Sequence, residues 1–266
     1  MNSFQKSLVA MAGYDNGWEV ASESQDSVTL TSAHHRAAAT VRQNPEGAGW
    51  TVQFPPGRLT EELSRTDGLF VVASSFHASS ERALGYLLAH AARLARTLPD
   101  LPQRTYEQAV AQELVRLSET TPSTEVERLV RQRVGQNVYR ESLMDYWGGA
   151  CAVTGIAIPE LLRASHSRAW ADCTTDADRL NVFNGFLLVA HLDALFDRHL
   201  MTFNATGEAI FAPSISREVR RQLGIRDNAR LRWLSPGHEP YLIHHCDRFR
   251  QINPSLPPPG LTQVPH

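Results

Sequence analysis

The stretch from Cys151 to Phe203 constrains this chain more than any other, because polar residues stand where its short apolar runs end or begin. It reads CAVTGIAIPELLRASHSRAWADCTTDADRLNVFNGFLLVAHLDALFDRHLMTF. A short strand is predicted to end at Ser165-His166, and an irregular polar loop follows it. Asn184-Gly185 then leads into the apolar run 186–189 and a short helix. The expected order is therefore strand, loop, strand and helix.

Two carboxylates lie on the predicted helix. Asp193 follows Asn184 by nine residues and Asp197 lies four residues further on, so one helical face should present both carboxylates. Oxygen ligands of this kind suit a hard cation such as Mg²⁺ or Mn²⁺. With His166 at the strand end, the pattern suits a one-metal site for phosphodiester hydrolysis. Two alternatives stay open: Asn184 before Gly185 is also a turn signal, and Asp197 could satisfy backbone N–H groups.

This segment resembles the HNH endonuclease family, which has a ββα-metal fold, and in particular its branch with the pattern CaVTG…ASHixpW…NGxLL…lDalFDxgliTF. The resemblance covers roughly residues 128–250. It implies that His166 is the general base and that Asn184 holds the loop and orients His166. It also implies that Asp193, together with Asp197, binds the metal. Mg²⁺ is the expected ion, with Mn²⁺ as the alternative.

The segment departs from the commoner family pattern at two positions. Many relatives carry Asp or His immediately before the base, whereas this chain has Ser165, a poor metal ligand. The helix position that is His or Asn in many relatives is Asp193, which is a conservative change. His191 is a substitute ligand to consider, but it lies about 200° around the helix from Asp193. Ser165 favours the alternative that the fold is catalytically inactive and serves as a DNA-binding or interaction protein.

A helix is predicted to precede this segment. Thr124 and Glu127 form a capping-box pattern at its start, and its predicted buried stripe consists of Val130, Val134 and Val138. Residues 133–140, RVGQNVYR, are similar to the family stretch RxGQxxFRxxLLxxY. Four side chains are expected to contact the DNA backbone or to brace the site: Arg133, Gln136, Arg140 and Arg168. A solvated helix face is the alternative for the three that lie on the helix.

Residues 1–100 are predicted to form a separate α+β unit without a recognised family. Short β-branched or alternating runs predict strands at 18–20, 27–31, 38–42, 50–54 and 69–73. Helices are predicted at 58–65 and, with a long apolar stripe, at 79–98. Trp18, Trp50 and Phe54 are expected in the core, with stacking on a base as the alternative. The unit would read a DNA sequence or modification, or sense a small signalling molecule or a partner.

The predicted fold class is α+β, with a small N-terminal antiparallel sheet packed on a long helix and a C-terminal ββα-metal domain. We expect a reader or regulatory domain at 1–100, a helical linker at 101–123, a nuclease domain at 124–252 and a Pro-rich tail at 253–266. Beyond the elements already given, helices are predicted at 106–119, 216–223 and 241–249, and a hairpin at 202–211.

The composition is that of an ordinary soluble globular protein, with 42% hydrophobic and 20% charged residues. The formal net charge of −2 does not by itself indicate a nucleic-acid partner. Cys151, Cys173 and Cys246 contain no CxxC pair, which argues against a disulfide framework and against a structural zinc. A signal peptide and an apolar run of about 18 residues are both lacking, so we expect a cytoplasmic protein without a membrane partner.

Together these features predict a metal-dependent endonuclease that cuts double-stranded DNA. Resemblance to this branch of the family implies a restriction or defence nuclease whose extra domain selects the target. One such site cuts one strand, so a double-strand break would need a homodimer or two sequential nicks. A structure-specific nickase for repair or recombination is a further alternative.

Overall fold

The structure, a computed structural model, describes residues 1–44, 48–66, 71–72, 75–98, 101–117 and 124–254. The predicted break before Thr124 and nearly all of the predicted Pro-rich tail lie outside these residues, as do three positions of the predicted strand at 69–73. Contacts divide the chain into two compact units, Met1–Leu101 and Pro102–His266.

The N-terminal unit is built on a six-stranded antiparallel sheet in the order β1-β2-β3-β4-β6-β5. The strands are β1 (Val20–Glu23), β2 (Ser27–Thr31), β3 (Ala38–Gln43), β4 (Trp50–Gln53), β5 (Val71–Val72) and β6 (Ser75–Ala78). Val28 pairs with Val41, and Leu30 with Ala39, and all four side chains are fully buried. This face of the sheet is therefore core, as the alternation of apolar residues predicts.

Three helices belong to the N-terminal unit: α1 (Ser3–Asp15), α2 (Arg58–Thr66) and α3 (Glu81–Thr97). The Ser80 hydroxyl caps α3 by accepting a hydrogen bond from the Ala83 N–H. The helix buries one apolar face, which consists of Leu84, Leu87, Leu88, Ala91 and Leu94. The α+β class, with an antiparallel sheet and a long helix, is confirmed.

Helix α1 and strand β6 are not among the predicted elements. For α1 the sequence does contain a signal, because Asn2 and Gln5 form a capping box with reciprocal hydrogen bonds of 2.9 Å. The predicted strand at 18–20 begins instead at Val20, and Trp18 lies before it. Its indole N–H donates to the Leu88 carbonyl at 2.9 Å.

The predicted core aromatic residues are buried. Trp18 is fully buried, and Trp50 and Phe54 are each 7% exposed. The Phe54 ring contacts Trp18 and Phe76 at centroid distances of 6.2 and 5.5 Å. The prediction of core packing is confirmed, and the alternative that these rings stack on a base is wrong for the folded unit.

The C-terminal unit begins with two helices, α4 (Leu101–Leu117) and α5 (Thr124–Tyr146). The central elements are β7 (Leu162–His166), α6 (Asp176–Leu180), β8 (Gly185–Val189) and α7 (Ala190–Asp197). A hairpin of β9 (Met201–Phe203) and β10 (Ala209–Phe211), then α8 (Arg217–Gln222) and α9 (Glu239–Ile252), complete it. The predicted elements are therefore present, although α4 and α9 are longer than expected and α6 falls in a predicted loop.

All three cysteines are buried and free. Cys246 lies on α9, where its thiol is 3.4 Å from the Phe203 carbonyl. Within the described residues, none of the helices combines the length and the apolar character needed to cross a bilayer.

Candidate active site

The antiparallel pair β7–β8 brings the two ends of the predicted site together. His166 lies opposite Gly185, and Ser165 opposite Phe186. A β-carbon at position 185 would overlap the Ser165 carbonyl oxygen and the Tyr139 hydroxyl. Glycine therefore allows the two strands and the helix behind them to approach one another this closely.

Strand β8 leads directly into α7, and this places Asp193 beside β7. The Ser165 hydroxyl donates a hydrogen bond to Asp193 Oδ1, across 28 positions of sequence. Ser165 is 4% exposed and Asp193 is half-buried. The residue before the predicted base and the predicted metal ligand are therefore in direct contact.

Asp197 and His191 contribute differently from Asp193. Asp197 ends α7 and is exposed, and the structure describes no contact between its carboxylate and that of Asp193. His191 is half-buried and lines a separate pocket with Ile225 and Arg226, and burial lowers its pKa below the usual value. Within the described part of the chain, no three His, Cys, Asp or Glu side chains are grouped so that they could hold a metal ion.

His166 is held between two aromatic rings and one carbonyl group. The Tyr139 ring of α5 stacks on the imidazole at 3.8 Å with an interplanar angle of 19°, and Trp170 contacts it edge-on at 5.9 Å. Nε2 lies 2.9 Å from the Arg179 carbonyl oxygen. A carbonyl can only accept, so Nε2 must carry the proton in this contact.

The surroundings of His166 keep its imidazole neutral. Burial lowers the pKa of His166 to about 4, although the hydrogen bond to the Arg179 carbonyl opposes this change. At neutral pH the ring therefore carries a single proton, on Nε2, and Nδ1 has a free lone pair. This is the protonation state that a general base requires.

Asn184 is fully buried and fastens the loop between the two strands. Its Oδ1 accepts from the Arg168 N–H at 2.8 Å, and its Nδ2 donates to the carbonyls of Arg168 and Asp178 at 3.2 and 3.1 Å. Its own carbonyl accepts from Ser167 N–H at 3.0 Å and from the Tyr139 hydroxyl at 2.9 Å. The side chain therefore ties together both sides of the loop that follows His166.

The Arg179 side chain fixes the part of the loop that supplies the carbonyl bound by His166. Its guanidinium donates to the carbonyls of Cys173 and Trp170 at 2.6 and 3.2 Å and forms an ion pair with Asp176 at 2.8 Å. These contacts hold the Arg179 backbone in place, so the imidazole has a fixed partner.

Residues 151–204 match the HNH endonuclease family. The match includes His166, Asn184, Asp193 and Asp197, and the resemblance drawn from the sequence is confirmed for this segment. A nuclease domain of this family implies a nucleic-acid substrate. None of the curated proteins compared with the chain matches it.

Helix α5 lies outside the matched HNH segment but supports it. The Arg140 guanidinium donates to the carbonyls of Leu162 and Pro159 at 2.6 and 2.8 Å, and so braces the start of β7. Arg133 is exposed and forms an ion pair with Glu113 of α4. Gln136 is exposed as well. Of the three helix residues, Arg140 alone contacts the HNH segment in the structure described here.

Arg168 stands at the edge of the HNH loop. Its guanidinium lies over the Tyr241 ring at 5.3 Å, and the described residues include no carboxylate that binds it. Tyr241 in turn donates to Asp178 Oδ1 at 2.9 Å, and burial raises the pKa of this phenol to about 12. Arg168 is therefore oriented by an aromatic ring while its charge remains available.

Three residues around the HNH histidine had no role predicted from the sequence: Tyr139, Trp170 and Arg179. Two signals for them exist, since Trp170 is the tryptophan of the ASHixpW pattern and Tyr139 belongs to the same RVGQNVYR stretch as Arg140. The Trp170 indole packs against α5 at Gly135 of this stretch, where a β-carbon would overlap the ring. A motif that requires glycine on a helix face indicates a close neighbour, although it does not say which residue that neighbour is.

Proposed function

We propose that this protein is a metal-dependent DNA endonuclease that hydrolyses phosphodiester bonds, with His166 as the general base. The observation that supports this most directly is the bonding of His166. Its Nε2–H donates a hydrogen bond to the Arg179 carbonyl, 2.9 Å away, and burial keeps the ring neutral. Nδ1 can therefore accept a proton from an attacking water molecule.

Asp193 and Ser165 are the side chains that would hold a divalent ion. Both offer oxygen, and one carboxylate with a neighbouring hydroxyl suits Mg²⁺, which commonly keeps several waters and uses one or two carboxylates plus substrate phosphates. When bound, such an ion stabilises charge on the phosphoryl and leaving oxygens. Asp197, one turn further along α7, remains a proposed additional ligand, and Mn²⁺ remains an alternative ion.

The remaining residues position the base. Asn184 holds the loop whose Arg179 carbonyl orients the imidazole, and the Tyr139 ring stacks on one face of that imidazole. A fixed ring loses less entropy when the reactants come together, which is how positioning contributes to rate. Asn184 therefore acts through the loop rather than on the substrate.

Double-stranded DNA is the proposed substrate, and Arg168 is the proposed phosphate contact with the best support. Its charge is not neutralised by a neighbouring carboxylate, and guanidinium groups bind phosphate oxygens well. Arg133 and Gln136 are exposed and remain proposed contacts, whereas Arg140 is proposed as a brace. We further propose a restriction or defence role, in which the N-terminal unit selects the target or senses a signal.

One observation favours a second function. Among the described residues, Asp193 does not belong to a group of three His, Cys, Asp or Glu side chains that could hold an ion, and Ser165 replaces a stronger ligand of the family pattern. A catalytically inactive HNH domain that binds DNA or a partner would have this composition. The two functions differ in one measurable respect, since only the nuclease needs a divalent ion to act.

Plasmid cleavage tests the proposal. Supercoiled plasmid, with and without cytosine modification, is incubated with the full chain in Mg²⁺, Mn²⁺ or EDTA. Wild type is compared with His166→Ala and Asp193→Ala, and His34→Ala, an exposed histidine of the N-terminal unit, is the control. We expect metal-dependent cutting that both site variants lose and the control retains.

Two results would change the assignment. Absence of cutting by folded wild-type protein on both plasmids would contradict the stand-alone nuclease and favour the binding function. Cutting that His166→Ala retains would remove His166 from the mechanism. A difference between the two plasmids in wild type would assign modification reading to the N-terminal unit.

A further inference from the structure

A pocket of about 400 Å³ lies in the C-terminal unit on helix α7, beside the HNH site. Four apolar side chains form part of its wall: Val153, Ile156, Leu192 and Ile225. Leu192 and Ile225 are buried, and Ile156 is 38% exposed at the mouth. Pockets that bind small organic ligands begin at about 300 Å³, so this one is large enough for a planar ring with a polar substituent.

The charged groups of this pocket are all basic. Arg226 and Arg230 lie at its rim, and among the described residues no carboxylate lines it. The Arg226 guanidinium has no ion pair or hydrogen bond within the described residues, whereas Arg230 donates once, to the Thr206 carbonyl at 3.2 Å. Asp227, the acidic residue next in the chain, is held by Arg217 at 3.0 Å. The rim therefore favours an anion, and phosphate is one of the two anionic groups that guanidinium binds through paired hydrogen bonds.

Backbone hydrogen bonds hold the pocket walls in place. Ile225 N–H donates to the Arg220 carbonyl at 2.8 Å, and Arg232 N–H to the Ala152 carbonyl at 2.8 Å. On the opposite side, Cys151 N–H donates to the Ile156 carbonyl at 2.9 Å. The apolar wall and the basic rim are therefore formed before any ligand arrives, which lowers the entropic cost of binding.

We propose that this pocket binds a nucleotide, with the ring against the apolar wall and the phosphate at Arg226 and Arg230. Thr154 and Asn228 supply hydrogen-bonding groups for the ring edge. The nucleotide comes either from solution or from an unpaired position of the DNA substrate, and only the second source rests on the proposed nuclease function. In both cases the ligand touches Leu192, which adjoins Asp193 on α7.

Binding by the full chain in EDTA tests this proposal without any cleavage. One set of probes consists of the four deoxynucleoside monophosphates, AMP and inorganic phosphate, measured by calorimetry. The second set is a fluorescent DNA duplex with one unpaired nucleotide and the same duplex fully paired. The variant is Arg226→Gln, at an exposed position whose guanidinium has no partner within the described residues, so we expect the fold to be retained. The control is Arg221→Gln, which removes the same charge from α8 outside the pocket.

For a free nucleotide we expect monophosphates to bind more tightly than inorganic phosphate, with a loss of about tenfold in Arg226→Gln and none in Arg221→Gln. For a nucleotide of the substrate, the duplex with the unpaired position binds more tightly than the paired one, and Arg226→Gln abolishes that preference. Either result supports nucleotide binding in the pocket and identifies whether the nucleotide comes from solution or from the DNA substrate.

Three results would overturn the proposal. The first is that inorganic phosphate binds as tightly as the nucleotides, which would show that the pocket binds anions and does not recognise the ring. The second is an equal loss of binding in Arg226→Gln and Arg221→Gln, which would indicate a non-specific effect of positive charge. The third is no response in either set of probes. Metal-dependent plasmid cleavage by wild type, together with no binding of either set of probes by wild type, would reject the pocket and leave the nuclease proposal standing.

Discussion

The Ser165 hydroxyl and the Asp193 carboxylate are joined by a hydrogen bond. The two positions at which the segment departs from the commoner family pattern are therefore in direct contact. A longer acidic side chain at position 165 would reach the same space. If Asp193 binds the ion as proposed, the side chain at position 165 lies beside that ion, even though serine is a weak ligand.

Substitution of Ser165 should change metal affinity in both directions. Ser165→Asp adds a second carboxylate, so we expect the Mg²⁺ concentration for half-maximal cleavage to fall about tenfold. Without metal the two like charges should lower stability by about 1 kcal/mol, and Mg²⁺ should restore it. Ser165→Ala should need more Mg²⁺ than wild type. Calorimetric metal titration and melting with and without Mg²⁺ measure these effects, and an unchanged affinity in Ser165→Asp would place the metal elsewhere.

The hydroxyl and the ring of Tyr139 should contribute differently. The hydroxyl should contribute mainly to stability, and the ring mainly to the rate of cleavage. Tyr139→Phe loses the hydrogen bond to the Asn184 carbonyl, which still accepts from Ser167, so we expect a loss of about 1 kcal/mol in unfolding free energy. Tyr139→Leu also loses the ring on His166, and its kcat should fall more than its KM rises. Denaturant unfolding and cleavage kinetics on both variants measure this. Equal kcat in the two variants would show that stacking does not position the base.

A β-carbon at position 185 should be tolerated poorly. Gly185→Ala places an atom against the Ser165 carbonyl and the Tyr139 hydroxyl, so we expect a loss of about 3 kcal/mol in unfolding free energy, at the upper end of the usual cost of overpacking. Gly155→Ala is the control, because its φ is +73° and nothing lies within 4 Å of the added carbon. Its cost should be about 1–2 kcal/mol from backbone conformation alone. Similar losses in the two variants would argue against the close approach.

Substitutions of Arg168 and Arg140 should distinguish a residue that contacts phosphate from a residue that braces the fold. Arg168→Gln should reduce the slope of log affinity against log salt by about 1, as expected when one phosphate contact is lost. Arg140→Gln should leave that slope unchanged and lower stability, because its guanidinium binds two carbonyls of the chain. Fluorescence anisotropy over a range of salt concentrations and thermal melting distinguish them. The reverse pattern would exchange the two roles.

Mild acid should destabilise the C-terminal unit through His245. Its Nε2 lies 2.9 Å from the Phe196 carbonyl and its Nδ1 3.0 Å from the Thr202 hydroxyl, and burial lowers its pKa to about 3. Below about pH 6.5 the unfolded chain binds a proton that the folded chain does not, so stability falls with pH until about pH 3. Between pH 7.5 and 5.5 this costs about 1 kcal/mol.

The variant His245→Gln isolates that contribution. Glutamine keeps one donor and one acceptor but does not titrate, so its unfolding free energy should depend less steeply on pH than that of wild type. Denaturant unfolding at the two pH values measures the difference. An unchanged pH dependence would assign the effect to other groups, of which His166, with a pKa of about 4, is the first to examine.

Local patterns in the sequence predicted most of the elements that form the site. The apolar run before His166, the Asn184-Gly185 pair and the acidic positions of α7 correspond to the observed strands and helix. These are local features, because the spacing of apolar residues and the residues that favour turns are both set by neighbours in the sequence. Helix α6 was missed because its five residues are too few to show a period.

The sequence by itself determined that a histidine, a loop asparagine and an aspartate follow one another at the spacing of the HNH family. The tertiary structure decided which side chains surround them. The stack of Tyr139 on His166 and the contact of Ser165 with Asp193 join residues 27 and 28 positions apart. Such contacts depend on how a helix packs against a strand, and no local period or spacing encodes that packing.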